Sequence, residues 1–189
     1  MSPIKRIFDI VVGASFLVLL FPFLILIALI IKCTSVGPIL YWSDRVGINN
    51  KLYKMPKFRT MKINAPEVAT HLLAEPHTYI TSIGRMLRKT SLDELPQLIC
   101  LVSGSMSLVG PRPALYNQND LIQLRTKYGV DQLVPGITGW AQVNGRDELS
   151  IDQKVKFDVE YLSKKSFSFD LKIIILTLYR VVSQDRISY

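Results

Sequence analysis

The residue types best suited to chemistry are concentrated at positions 90–98, Thr-Ser-Leu-Asp-Glu-Leu-Pro-Gln-Leu. Two adjacent carboxylates, Asp93 and Glu94, follow the cations Arg85, Arg88 and Lys89 and precede Pro96. Further cations stand in Lys57-Phe58-Arg59, and Arg112 lies between two prolines. Guanidinium forks match phosphate oxygens. Paired acids amid cations are what a phosphate-handling site with Mg²⁺ needs. One acid holds the metal, which takes oxygen ligands and keeps its waters and substrate phosphates. The other, kept ionised by its surroundings, can attack phosphorus.

A purely structural account covers the same pair. Ser91-x-x-Glu94 matches a capping box, but that places Pro96 at a helical position where its missing N–H and its ring are costly. Pro96 fits better in the first turn, where N–H groups lack intrahelical partners anyway. The N-cap then falls within 93–95, and Asp93 is a good cap by residue type. A helix cap within a solvated charge cluster and a phosphate site stand level on this pattern.

These residues must be positioned by a chain of 189 residues, one domain's worth. Its apolar content of 49% and mean hydropathy of +0.25 point to a membrane. The net charge of +8 is uneven: residues 36–92 carry nine Lys/Arg against three acids. Such a surplus suits anionic lipid or phosphorylated substrates. Nucleic acid is not expected as a partner, because no recognition motif for it is present. Cys33 and Cys100 lack disulfide or metal spacing and read as reduced thiols. His71 and His77 have no acid or Cys at ligand spacing and read as loop residues.

Residues 7–31 are nearly unbroken apolar sequence, long enough to cross a bilayer. Pro22 should kink or break this helix, and both flanks are cationic, as cytoplasmic flanks are. A helix–break–helix that enters and leaves by one face satisfies both facts, and a spanning helix with a tolerated proline is its equal on physics alone. Asp9 is expected at headgroup depth or beside a cation. Residues 39–61 alternate around a Gly-Ile-Asn-Asn-Lys turn, predicting a β-hairpin. Residues 62–80, with Pro66 and Pro76, predict a loop with one short helix, and 115–127 and 151–165 predict helices. The apolar run 170–182 carries Lys172 and Arg180, so it reads equally as an interfacial or a buried helix.

The stretch LRKTSLDELPQLICLVSGSMSLVGPRP (87–113) resembles the signature of the bacterial sugar transferases, in their small monotopic phosphoglycosyl transferase form. KFRTM (57–61), PGITGWAQVNGR (135–146) and the region from Lys156 to Ile174 agree with it, so the resemblance covers essentially the whole chain. It implies an α+β, mainly helical fold. Residues 1–35 would form a Pro-broken re-entrant membrane helix turning at Phe21-Pro22, and 36–189 a cytoplasmic-face catalytic domain with a small β-hairpin and amphipathic interfacial helices. The chain reads as the minimal form, without the extra membrane helices of larger members. Departures from the family pattern are Cys100 for Asn, Asn64 for Asp, and Phe21 for a small polar residue.

The resemblance also implies a reaction at the inner membrane. A UDP-sugar gives sugar-1-phosphate to polyprenol phosphate, with release of UMP, through a covalent phosphosugar-aspartate. Asp93 would be the nucleophile and Glu94, with Asp93, the Mg²⁺ ligand. Lys57, Arg59, Arg85, Arg88, Arg112 and Arg146 would contact phosphate or nucleotide, and Asp158 would support the site or serve a structural salt bridge. Gly136, Gly139 and Gly145 suit tight turns. The expected partners are UDP-sugar, polyprenol phosphate and the bilayer, with a homodimer and downstream glycosyltransferases as protein partners. The products would feed O-antigen, capsule, exopolysaccharide or glycoprotein assembly. A UDP-sugar hydrolase and a non-catalytic, membrane-anchored binding module are the competing readings.

Overall fold

The computed structural model describes residues 2–65, 76–145 and 148–183. Helix α1 (Pro3–Thr34) starts with Ser2, whose hydroxyl accepts the Lys5 N–H, and Pro3 at its first position. Its 32 residues extend about 48 Å at 1.5 Å each if straight. The backbone stays helical through Pro22, so the expected break into two helices is not seen. The physical reason is that proline removes one N–H but fixes φ near −65°, a helical value. Only the Val18 carbonyl loses its partner.

Both halves of α1 dock on the same globular body. In the N-terminal half, Gly13 lies against Leu101 and Val102, where an added Cβ would sit 3.0 Å from the Leu101 side chain. Arg6 donates to the carbonyls of Leu101 and Val102, both at 2.7 Å. Asp9 is buried and accepts the Leu108 N–H at 3.1 Å. Its place is therefore inside the protein, bonded to backbone. In the C-terminal half, Ile27 and Ile31 are buried with Phe58 and Leu87. Between these anchors Phe16, Val18, Leu19 and Phe21 are exposed.

After α1, strands β1 (Leu40–Val46) and β2 (Leu52–Phe58) pair antiparallel, from Leu40 opposite Phe58 to Val46 opposite Leu52. This is the expected hairpin. Its tip places Asn49 and Asn50 at positive φ, a conformation Asn tolerates better than most residues. Short α2 (Pro76–Tyr79) carries exposed His77, while His71 lies outside the described residues. Helix α3 (Ser82–Lys89) buries Leu87 against α1. A 3₁₀ segment (Leu92–Gln97) then leads into α4 (Leu98–Ser103).

Strands β3 (Ser107–Val109) and β4 (Gly136–Thr138) form a parallel pair that periodicity does not reveal, each being three residues long. Between them lies α5 (Asn119–Lys127), which starts four residues later than expected because Leu115 to Gln118 make a turn. Helices α6 (Trp140–Val143), α7 (Ile151–Lys164) and α8 (Phe167–Val182) complete the fold. Helix α7 begins with a full capping box between Ser150 and Gln153. Helix α8 buries Ile173 with Val109, Val143 and Tyr161, yet leaves Ile175, Leu178, Tyr179 and Val181 exposed.

Candidate active site

The acidic pair lies in the 3₁₀ segment, which packs against β2 and α3. Neither capping expectation is realised. Ser91 precedes the segment in the left-handed region (φ 55°, ψ 18°), its side chain makes no cap hydrogen bond, and α4 begins only at Leu98. Left-handed backbone costs a non-glycine residue roughly 1–2 kcal/mol. Pro96, without an N–H, stands where the 3₁₀ register gives way to α. The helix cap thus leaves both acids unexplained.

Cations explain them. Lys57 reaches Glu94 Oε1 at 2.7 Å, and an Arg112 guanidinium nitrogen lies 3.8 Å from the same oxygen. Burial lowers the pKa of Lys57, against the pull of Glu94. Asp93 is shifted the other way. Burial raises its carboxyl above the usual range and Glu94 adds to this, while Lys57 and Arg88 oppose it. Asp93 is therefore partly desolvated, with its charged form less favoured than in a free aspartate.

Sequence reasoning missed Arg45 as a site residue. Its Nε donates to Ser43 Oγ at 3.1 Å and a terminal nitrogen to the Pro113 carbonyl at 3.2 Å. Burial and Arg112 both lower its pKa. Arg45, Lys57, Arg112, Glu94 and buried Gln97 line one cleft, with Met55 and Ile137 as apolar wall. Hairpin register held the signal. Opposed residues share a face and alternate residues repeat it. Lys57 pairs with Tyr41 and Tyr53 with Arg45, so Lys57 and Arg45 emerge on the same side.

The segment Pro111–Pro113 is fastened through its carbonyls. Pro111 accepts from Gly136 N–H at 2.9 Å, Arg112 from Arg125 at 2.8 Å and Pro113 from Arg45. Arg125 also bonds Asp158 through two nitrogens, at 2.9 and 2.7 Å. Asp158 is thus both a salt-bridge partner and, through Arg125, a support for Arg112. Gly136 and Gly139 are needed for close packing and not for turns, a correction to the sequence expectation. A Cβ on either would come within 2.1 Å of Gly110 backbone atoms, whereas Gly145 does adopt positive φ.

Of the other expected site residues, Arg88 acts on the carboxylate pair, whereas Arg59, Arg85, Phe21 and Pro22 do not join it. Arg59 is buried and turned to the Ser35 and Val36 carbonyls, closing the end of α1. Arg85 lies exposed on α3, and Arg88, half-buried, acts on Asp93. Phe21 and Pro22 are on the exposed middle of α1. Arg146 lies outside the described residues. Cys100 packs as a hydrophobe with Met55 and Met106, and burial pushes its thiol up to about 11. Asn64 is exposed in a turn.

No group of three or more His, Cys, Asp or Glu that could hold a metal occurs among the described residues. Mg²⁺ needs no such cage, since one or two carboxylates with waters and substrate phosphates hold it. The all-oxygen pair Asp93–Glu94 fits that demand.

Arg45, Lys57 and Arg112 thus gather round Glu94 in one cleft, with half-buried Asp93 next to Glu94 in the chain, and guanidinium and ammonium groups of this kind suit phosphate oxygens. The chain belongs to the bacterial sugar transferase family, whose pattern it matches over residues 1–184. It is 41% identical to the UDP-glucose:undecaprenyl-phosphate glucose-1-phosphate transferase of Escherichia coli K12, over 94% of this chain and 40% of that protein. It is 38% identical to the sugar transferase EpsL of Bacillus subtilis, over 97% of this chain and 90% of that one. It is 34% identical to the exopolysaccharide production protein ExoY of Sinorhizobium fredii, over 92% and 83%. The chain spans about two-fifths of the length of the named glucose-phosphate transferases it matches.

Proposed function

We propose that this chain transfers sugar-1-phosphate from a UDP-sugar to polyprenol phosphate, releasing UMP. The observation that carries the reading is the cleft where Arg45, Lys57 and Arg112 gather round Glu94, with partly desolvated Asp93 adjacent to Glu94 in the chain. The names of the similar proteins point to the same substrates.

In the first half of the reaction an Asp93 oxygen attacks the β-phosphorus of the UDP-sugar. A bond forms between that oxygen and phosphorus, the bridging P–O bond breaks, and UMP leaves with its electrons. Arg45, Lys57 and Arg112 stabilise the charge that develops on the diphosphate. In the second half an oxygen of the polyprenol phosphate attacks the same phosphorus and the Asp93 carboxylate is released. Asp93 and Glu94 would hold Mg²⁺, which neutralises phosphate charge when bound. The lipid product would enter assembly of an exopolysaccharide or related glycan, passed on to downstream glycosyltransferases.

A membrane-facing place on the cytoplasmic side belongs to this reading. Helix α1 is long and apolar enough to cross a bilayer, yet both its halves dock on one folded body and its middle is exposed. A monotopic insertion of that exposed middle from one face, with α8 lying along the interface, lets the polyprenol reach Asp93 from the lipid.

The test is UMP release from a panel of UDP-sugars with Mg²⁺ and undecaprenyl phosphate, beside Asp93→Asn. Release with one sugar, sustained only with the lipid and lost in the variant, is the expected result. Release that ignores the lipid would identify a hydrolase instead. A folded chain that releases none from any sugar would overturn the reading.

A further inference from the structure

The two halves of this reaction create a traffic problem. For in-line displacement the acceptor oxygen must approach phosphorus opposite Asp93, the position UMP has just left. The acceptor phosphate therefore cannot occupy the cleft while the donor is there. A lipid confined to the bilayer gains from a place to wait beside it.

Helix α3 has the features of such a place. Its inner face, Ile83 and Leu87, packs on Leu24, Ile27 and Ile31 of α1. The same stretch of α1 turns Ile25, Leu26 and Leu29 outward. The outer face of α3 exposes Arg85, Met86 and Lys89. Neither Arg85 nor Lys89 forms an ion pair among the described residues, and neither lines the cleft of Arg45, Lys57 and Arg112. Two cations flanking a flexible apolar side chain, on a helix seated against a membrane helix, suit a phosphate head with a hydrocarbon tail. Arg88, from the same helix, leads inward to Asp93.

We propose that the exposed face of α3, Arg85 and Lys89 with Arg88 behind them, holds the phosphomonoester of the polyprenol acceptor while the donor occupies the cleft. This rests on the transferase reading above. A phosphomonoester carries close to two negative charges at neutral pH and three acceptor oxygens, against one charge on a common phospholipid diester. Paired cations therefore favour it over the surrounding anionic lipid.

The experiment uses the full chain in nanodiscs and the double variant Arg85→Gln/Lys89→Gln. The KM for undecaprenyl phosphate should rise fivefold or more, with kcat at saturating acceptor and the Kd for UMP each within twofold. A photoreactive polyprenyl phosphate, with UMP added to fill the cleft, should label residues 82–89, and the double variant should lose that label. An unchanged KM, or labelling confined to the hairpin, overturns the holding site. So does a KM that rises in proportion to added phosphatidylglycerol, which would make α3 a general lipid-anion surface. Absence of UMP release would sink the transferase reading instead, while labelling still decides where the lipid phosphate binds.

Discussion

Two clusters of charge lie close together on either side of Arg112, and they are built on opposite plans. Asp158 and Arg125 are balanced, one carboxylate gripped by one guanidinium fork, with side chains 2% and 11% exposed. The remaining Arg125 donor ends on a backbone carbonyl. The Asp93–Glu94 cluster has four cations, Arg45, Lys57, Arg88 and Arg112, acting on two carboxylates. Its Arg112 side chain is 37% exposed. A balanced, closed cluster completes itself and does structural work. An open cluster with surplus positive charge has room for further anions, which on the proposed reading are the substrate's phosphates. Sequence cannot separate the two, since the residue types are the same and Asp158 lies 33 residues from its partner Arg125.

The sharpest way to break this comparison is to remove one acid from each cluster. On the transferase reading, Asp93→Asn should lower UMP release by at least about 10³-fold, since an amide cannot serve as the attacking carboxylate. Its thermal midpoint should not fall, because the fold already disfavours the Asp93 charge. A matching loss of midpoint would make Asp93 a structural residue like Asp158.

In the balanced cluster the effect should be on stability. Arg125→Met leaves Asp158 as an uncompensated buried charge and should cost about 3–5 kcal/mol in denaturation. Arg125→Met combined with Asp158→Leu should recover most of that loss. Failure to recover would mean that the bond to the Arg112 carbonyl matters more than the ion pair.

The pH profile sharpens the contrast further. Asp93 must be ionised to attack, and its pKa is raised in the folded chain. The acid limb of kcat/KM should therefore lie above the ordinary aspartate range, with activity lost as pH falls through it. Lys57 stabilises the charged form, so Lys57→Gln should move that limb to higher pH. Glu94→Gln removes a like charge and should move it lower. Coincident limbs in all three proteins would show that another group controls the profile.

The smallest expected effect concerns the backbone. Ser91→Gly relieves a left-handed serine at some cost in unfolded-chain entropy, so stability should rise by roughly 0.5 kcal/mol. If that strain aims the acids, kcat should drop as stability rises. A change in neither would make Ser91 an ordinary turn residue.

Much of the fold could be read from residues that carry their own local instruction. The hairpin was legible in alternation around Asn49-Asn50, α7 in its apolar spacing and α1 in its unbroken apolar run. Lys57, Glu94 and Arg112 were legible as a phosphate-type set because a motif of adjacent acids and cations names them, and the structure brings all three together. Arg45 was not, because only pairing with Tyr53 turns it toward the site. Arg59 shares a tripeptide with Lys57 but lies just past the end of β2 with its guanidinium on the Ser35 and Val36 carbonyls, so adjacency in sequence misleads there. The β3–β4 pair was invisible, since it depends on Gly110 and Gly136 lying backbone to backbone across 26 residues.

Sequence by itself therefore determined the long apolar helix, the principal local elements and the residue types that a site could use, because periodicity and residue type act over a few neighbours. Only the tertiary structure decided which charges meet. It tied Asp158 to Arg125 and left Asp93 partly desolvated beside Lys57 and Arg88, because desolvation and ion pairing depend on groups that distant segments bring together.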